Sequence, residues 1–351
     1  MMSFITNNID TLLGAVWLAI LIAAALAPLE TMGWWAGWWL NEDEAQNAME
    51  TFESGGGGSP QADDATEESP ASNYVVFLTG IGGSAEQVNV PMEVRLLERL
   101  REAMPDARIL DQIYPYSVGN LGLTHNRVLS PFWKFVLKEK MSGHRALGFF
   151  INLRNLLQVL VCADDRYGPF FSQGAAQVIT KELQQAGYNL SSGVPITIIG
   201  YSGGGQIAVG AAPYLAQVIP GPVRVISLGG VLSSTPLVNR IDDVTHIYSD
   251  KDTVQRLGMI FPGRWAVSVT STWNRGKRAG RIRKLKLPGV KHDGPGGYLD
   301  EEQTLPDGRS FMDRTVETIV GIINSPITVI PDDPNIAVPL KTDTAVPDTG
   351  H

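Results

Sequence analysis

Residues 195–215 constrain this chain more than any other stretch. Pro195-Ile196-Thr197-Ile198-Ile199 is apolar or β-branched on both faces, which suits a short strand buried on both sides. Gly200-Tyr201-Ser202-Gly203-Gly204-Gly205 ends it abruptly, and Gln206-Ile207-Ala208-Val209-Gly210-Ala211-Ala212-Pro213-Tyr214-Leu215 resumes with apolar residues at helical spacing. Strand, sharp turn and helix follow one another, with Ser202 at the turn. A serine held there needs small residues two positions before and two after, so that strand and helix do not collide, and both positions are glycine.

A serine hydroxyl is a weak nucleophile at neutral pH and needs a base, itself oriented by an acid. Downstream, Val244-Thr245-His246-Ile247-Tyr248 is strand-like and runs into a loop carrying Asp250 and Asp252. Asp252 is the first choice for the acid, because it stands where the loop turns back into Val254-Gln255-Arg256-Leu257, and Asp250 is the alternative. Asp242 and Asp243 precede the strand, at the wrong end. Of five histidines, His292 lies in a turn-rich loop directly after the strand-like residues 282–287. His125 and His144 precede the serine, His246 is inside a strand, and His351 is in the tail. Acyl transfer also needs donors for the developing oxyanion. The Gly203 N–H at the helix start is one. Leu78-Thr79-Gly80-Ile81-Gly82-Gly83-Ser84, a glycine-rich loop after the first strand, offers Ile81 and next Gly82 as the other. A dinucleotide-binding turn would want a third glycine that this loop lacks.

In that order, glycine loop, Gly200-Tyr201-Ser202-Gly203-Gly204, the Asp252 loop and Lys291-His292-Asp293-Gly294, the chain resembles an α/β-hydrolase of lipase or esterase type over about residues 73–323, within a folded domain expected at 73–326. The resemblance implies a mostly parallel sheet with helices on both faces. It implies Ser202 as nucleophile, His292 as general base and Asp252 as its orienting acid, without metal or other cofactor. Two positions depart from the pattern. Thr79 stands where many relatives have the histidine of a His-Gly loop, and Ser249 stands where the acid loop often has glycine.

Short apolar runs alternating with helical patterns give an independent expectation of the same fold class. Strand-like runs are residues 74–78, 107–110, 223–228, 244–248 and 282–287; helical ones are 94–104 and 311–323. Between 116 and 165 the alternation is interrupted by segments rich in bulky apolar residues, such as Pro131-Phe132-Trp133 and Leu147-Gly148-Phe149-Phe150-Ile151. This insertion is expected either to form a lid over the site or to pack on the core. A lid makes the substrate acyl or otherwise apolar.

Outside the hydrolase-like part, the charge is uneven. No Lys or Arg precedes Arg95, while nine acids lie between Glu42 and Glu68, so the net charge of −8 says little about the substrate. Residues 12–29 are apolar and uncharged, about 27 Å as a helix, and Trp34, Trp35, Trp38 and Trp39 follow. Residues 11–40, after a ten-residue tail, therefore suit a single transmembrane anchor in the lipid bilayer. A cleaved signal peptide competes, but residues 1–10 lack a basic segment and Pro28 follows Ala25-Leu26-Ala27. The absence of nearby cations leaves the orientation unreadable.

Residues 41–72, acidic and glycine-rich, and the Pro/Asp-rich tail 327–351 read as tethers without a core. Cys162 is the only cysteine, which excludes an internal disulfide. Seven bases between Arg275 and Lys286 suit either a solvated strand edge or contact with anionic lipid, and no nucleic-acid partner is expected. A membrane-anchored serine hydrolase of carboxylic esters is the leading expectation. Its competitors are a thioesterase or amidase with the same three residues, and a catalytically silent tethered scaffold.

Overall fold

The computed structural model describes residues 71–83, 90–117, 145–235 and 238–327, with isolated positions between 11 and 33. Six parallel strands form one sheet: β1 (Asn73–Leu78), β2 (Ala107–Leu110), β3 (Ile196–Tyr201), β4 (Val223–Leu228), β5 (Asp243–Tyr248) and β6 (Ile282–Lys286). Their spatial order is β2-β1-β3-β4-β5-β6. The chain reverses direction of travel between β1 and β3, and in open α/β sheets the crevice beyond the carboxyl ends of such strands is where ligands bind. Ser202 follows β3 directly.

The alternation along each strand sorts the core into two layers, because successive side chains point to opposite faces. On one face Val76, Leu78, Ile196, Ile198, Val223, Val225 and Val244 pack under α2 (Arg145–Ala163), α3 (Gly168–Gln185) and α4 (Gly203–Val218). On the other, Val75, Phe77, Ile199, Ile226, Leu228 and Ile247 pack under α1 (Pro91–Ala103) and α6 (Phe311–Ile323). A short helix, α5 (Thr272–Arg278), places buried Trp273 in the first layer. β3, buried along its whole length, is the spine, and truncating Ile198 or Ile199 to alanine would cost about 2–5 kcal/mol.

At the amino ends of the strands the sheet is locked by charge. The buried Arg224 guanidinium donates to Asp243 Oδ2 (2.9 Å), Ile323 O (2.7 Å) and Ser325 O (2.7 Å), so it closes the carbonyl end of α6. Arg283 adds a second cation on Asp243 (2.6 Å), and Asp242 accepts from Val223 N. The two acids set aside by their position thus belong to the floor of the sheet, opposite Ser202.

The interrupting stretch between 116 and 165 is described from residue 145 onward as α2, whose inner face, including Ile151, Asn155, Val159 and Cys162, is part of the core. Phe149, Leu156 and Leu160 lie exposed along its outer side. The rest of that insertion, residues 118–144, lies outside the described residues. Most of the apolar segment 12–29, and all of residues 41–70 and 328–351, also lie outside them. Among the described residues no helix is long and apolar enough to cross a membrane.

Candidate active site

Ser202 is the only non-glycine residue with positive φ among the described residues (φ 53°, ψ −121°). Such a backbone costs on the order of 1–3 kcal/mol and persists only where the surroundings dictate it. Here they do. A Cβ on Gly200 would lie 2.5 Å from Gly204 O, and one on Gly204 would lie 2.4 Å from Leu78 O, so α4 crosses the sheet at a distance only glycine permits. The Ser202 N–H is meanwhile held by Leu228 O of β4 (3.0 Å).

Two loops from the same end of the sheet reach this serine. His292 Nε2 lies 2.8 Å from Ser202 Oγ, and His292 Nδ1 lies 3.0 Å from Asp252 Oδ2. Asp252 is fully buried, and its other oxygen accepts from Val254 N (2.9 Å) and Gln255 N (3.1 Å), which fixes the carboxylate plane. Asp250, the alternative acid, is exposed and accepts from Gly289 N (3.1 Å), away from the imidazole. Its carboxyl is held below the usual range, first by the Gly289 bond. His246 lies within β5, and His125, His144 and His351 are outside the described residues.

Several neighbours that sequence reasoning did not single out hold this arrangement. Tyr201 stacks on the His292 ring (5.4 Å between centroids, 15° between planes), and its hydroxyl donates to His292 O (2.8 Å). Burial pushes that phenol far up, so the donor stays protonated. Tyr298 stands edge-on to the imidazole, its hydroxyl near Asp252 but outside hydrogen-bond geometry. A Cβ on Gly229 would lie 3.0 Å from Asp252 Oδ2 and 3.3 Å from His292 Nδ1, in a residue already at φ 57°. That glycine keeps the acid–base contact open. In the histidine loop, Asp300 accepts from Gly296 N (2.6 Å) and Glu302 N (2.9 Å) and so fixes the turn that follows His292.

The glycine loop is clamped from both sides. Below it, buried Glu93 of α1 accepts from Thr79 Oγ1 (2.5 Å), Gly80 N (3.0 Å) and Val90 N (3.1 Å). Burial raises its pKa, partly offset by those three bonds. Above it, Tyr116 OH donates to Thr79 O (2.7 Å), and Asn155 Nδ2 donates to Ile81 O (2.8 Å) and Gly83 O (2.9 Å). Thr79, one of the two departures from the hydrolase pattern, thus supplies a bond to Glu93 rather than a group facing the serine. Ser249, the other, is buried and accepts from Lys251 N (3.2 Å).

Among the described residues neither the Ile81 N–H nor the Gly203 N–H makes a hydrogen bond, and the first N–H groups of α4 have no partner within the helix. A Cβ on Gly203 would meet Ile81 Cγ2 and Val159 Cγ2, each at 2.8 Å. The Tyr116 hydroxyl would lie 3.2 Å from the same Cβ, so the wall beside the serine is close and mostly apolar.

A nucleophile, a base aligned on it, an acid on the base and two free N–H donors nearby form a set suited to attack on an acyl carbonyl. Among the described residues no group of His, Cys, Asp and Glu is arranged to hold a metal ion.

No family model and no curated protein matches the chain. Among solved structures, the crystal structure of dienelactone hydrolase from Anabaena variabilis ATCC 29413 is similar, with 18% identity, covering 73% of this chain and 85% of that one at a TM-score of 0.36. A likeness that distant bears no weight on chemistry or substrate.

Proposed function

We propose that this chain is a serine hydrolase that cleaves a carboxylic ester of an apolar acyl group through an acyl-Ser202 intermediate. The observation that carries the reading is the unbroken relay Asp252 Oδ2–His292–Ser202 Oγ, with contacts of 3.0 and 2.8 Å, ending on a serine held at positive φ. Ser202 Oγ attacks the ester carbonyl carbon while His292 Nε2 takes its proton. Asp252, on Nδ1, keeps the proton-accepting nitrogen turned toward the serine and stabilises the imidazolium. The carbonyl oxygen gains negative charge facing the N–H groups of Gly203 and Ile81. As the C–O bond breaks, His292 gives its proton to the departing alcohol. Water, deprotonated by the same nitrogen, then releases the acid and restores Ser202.

Ile81 and Val159 beside Gly203 support an apolar acyl group. The residues do not separate ester from thioester or amide, since all three use the same relay. The silent-scaffold reading is disfavoured by the 2.8 Å contact, because a binding module has no use for a base aligned on a strained serine. Attachment to a bilayer through residues 12–29 belongs to this proposal and rests on their apolar, uncharged sequence alone. Hydrolysis of p-nitrophenyl esters of graded chain length tests the reading. Turnover should rise with acyl length and vanish in Ser202→Ala; turnover that survives that substitution would refute it.

A further inference from the structure

One segment of the chain is set apart by charge. Residues 253–292 hold ten Lys and Arg and no Asp or Glu, in a chain whose net charge is −8. The first part of this segment is two short 3₁₀ turns (Gln255–Ile260 and Pro262–Arg264) leading to α5. It presents Leu257, Met259, Ile260, Trp265, Val267 and Val269 to solvent, from 44% exposed at Trp265 to 81% at Val267. So many large apolar side chains exposed along one short stretch of chain mark a surface that something covers.

The strip is held firmly from below. Arg264, stacked 3.8 Å over the Trp273 ring, donates to Leu232 O (2.8 Å). Asn274 Nδ2 donates to Trp265 O (2.8 Å) and Ser268 O (3.0 Å), and Trp265 Nε1 donates to Met259 O (2.7 Å). The backbone is thus tied inward while the aliphatic groups point out.

The cations divide into two sets. Arg281 is buried, and Arg283, though exposed, is paired with Asp243, so neither is a free surface cation. Lys277 and Arg278, at the end of α5, are exposed, and Arg278 Nη2 donates to Val269 O (2.7 Å), which joins the cationic turn to the apolar strip. We infer that this strip and the cationic end of α5 form a docking surface for an anionic lipid bilayer. Aliphatic groups and a tryptophan flanked by cations are what an interface with an apolar interior and negative headgroups selects. The apolar strip follows the Asp252 loop and packs on Leu232 and Ser234, which follow β4, while the cationic end of α5 leads into the start of β6, so the surface runs along the β6 side of the sheet from the end where Ser202 stands toward the amino ends of the strands. The inference is independent of the hydrolase reading.

Thiol labelling of the full chain tests it. Cys162 is buried and burial pushes its thiol up to about 11, so a fluorophore goes to the new site in Val267→Cys. Val218→Cys, exposed at the far end of α4, is the reference. Both are mixed with vesicles carrying a headgroup-level quencher, of phosphatidylcholine alone or with about a third phosphatidylglycerol.

The 267 probe should be quenched on anionic vesicles and the 218 probe should not, and about 0.5 M salt should reverse the quenching. Lys277→Gln with Arg278→Gln should lower the ratio of docked to undocked molecules about fivefold per charge. Ser202→Ala should leave the quenching unchanged, which separates this inference from the proposed activity. A 267 probe unquenched on both vesicles, equal quenching at 267 and 218, or cross-linking of position 267 to a second copy without lipid would overturn it.

Discussion

The sheet carries two buried serine–histidine pairs, and they differ in everything but composition. Ser227 and His246 face each other across β4 and β5, with Ser227 Oγ 3.2 Å from Nδ1, and Ser202 and His292 meet at 2.8 Å beyond the strand ends. Ser227 lies in regular strand; Ser202 is at positive φ. The second nitrogen of His292 faces Asp252, while the Nε2 of His246 has no partner among the described residues. Burial, then the Arg264 and Lys284 cations, pushes His246 down to about 3. A histidine so placed stays neutral and takes no proton from its serine. What distinguishes a base from a packed imidazole is the carboxylate behind it and the access in front of it.

Substitutions can break that contrast. The largest effect is expected at Ser202→Ala and His292→Ala, where kcat/KM for a p-nitrophenyl ester should fall by about 10⁴–10⁶. Ser227→Ala should stay within about threefold of the parent in the same assay. Comparable losses at both serines would erase the distinction. Asp252→Asn should lower kcat by about 10⁴, because the amide presents the wrong hydrogen to Nδ1 and turns the tautomer. Asp250→Asn, read alongside, should change kcat little.

Smaller effects sharpen the account of the glycine loop. Glu93→Gln and Asn155→Ala each remove a clamp on residues 79–83 and should lower kcat by about 10–100-fold with little change in KM, since the Ile81 donor matters most in the transition state. A change confined to KM would make these residues part of substrate binding instead.

The smallest effect concerns stability. The unfolded chain takes up a proton on His246 below about 6.5, which the folded chain refuses until about 3. Neutral burial of this ring therefore has no pH-dependent cost above that window and destabilises the fold progressively as pH falls through it. Denaturation of His246→Asn followed against pH should show a shallower acid loss than the parent; parallel curves would contradict the assignment.

The elbow and the two loops after it were legible because each is written locally: glycines flanking a serine, an acid after one strand, a histidine in a turn after another. The six strands were legible from their apolar runs. Glu93 was not singled out, although it shares one helical face with Leu96, Leu97 and Leu100, and a carboxylate on an apolar face is a detectable signal. Asn155, on the inner side of α2, gave the same signal and was lost in a stretch read only as bulky and apolar. Tyr201 and Gly229 carried none, since their roles exist only once β4 and the histidine loop approach β3. The basic run between Arg275 and Lys286 looked uniform in sequence, but Arg281 is buried, Arg283 is tied to Asp243 and Lys277 faces water, a division that only tertiary packing decides.

The central claim is that the relay ending at Ser202 makes this one hydroxyl nucleophilic. Reaction of the full chain with a fluorophosphonate, followed by peptide mapping, tests it most directly. The account predicts phosphonylation of Ser202, abolished by His292→Ala with the fold intact by circular dichroism. Absence of any adduct, or an adduct on another serine that persists in Ser202→Ala, would contradict it.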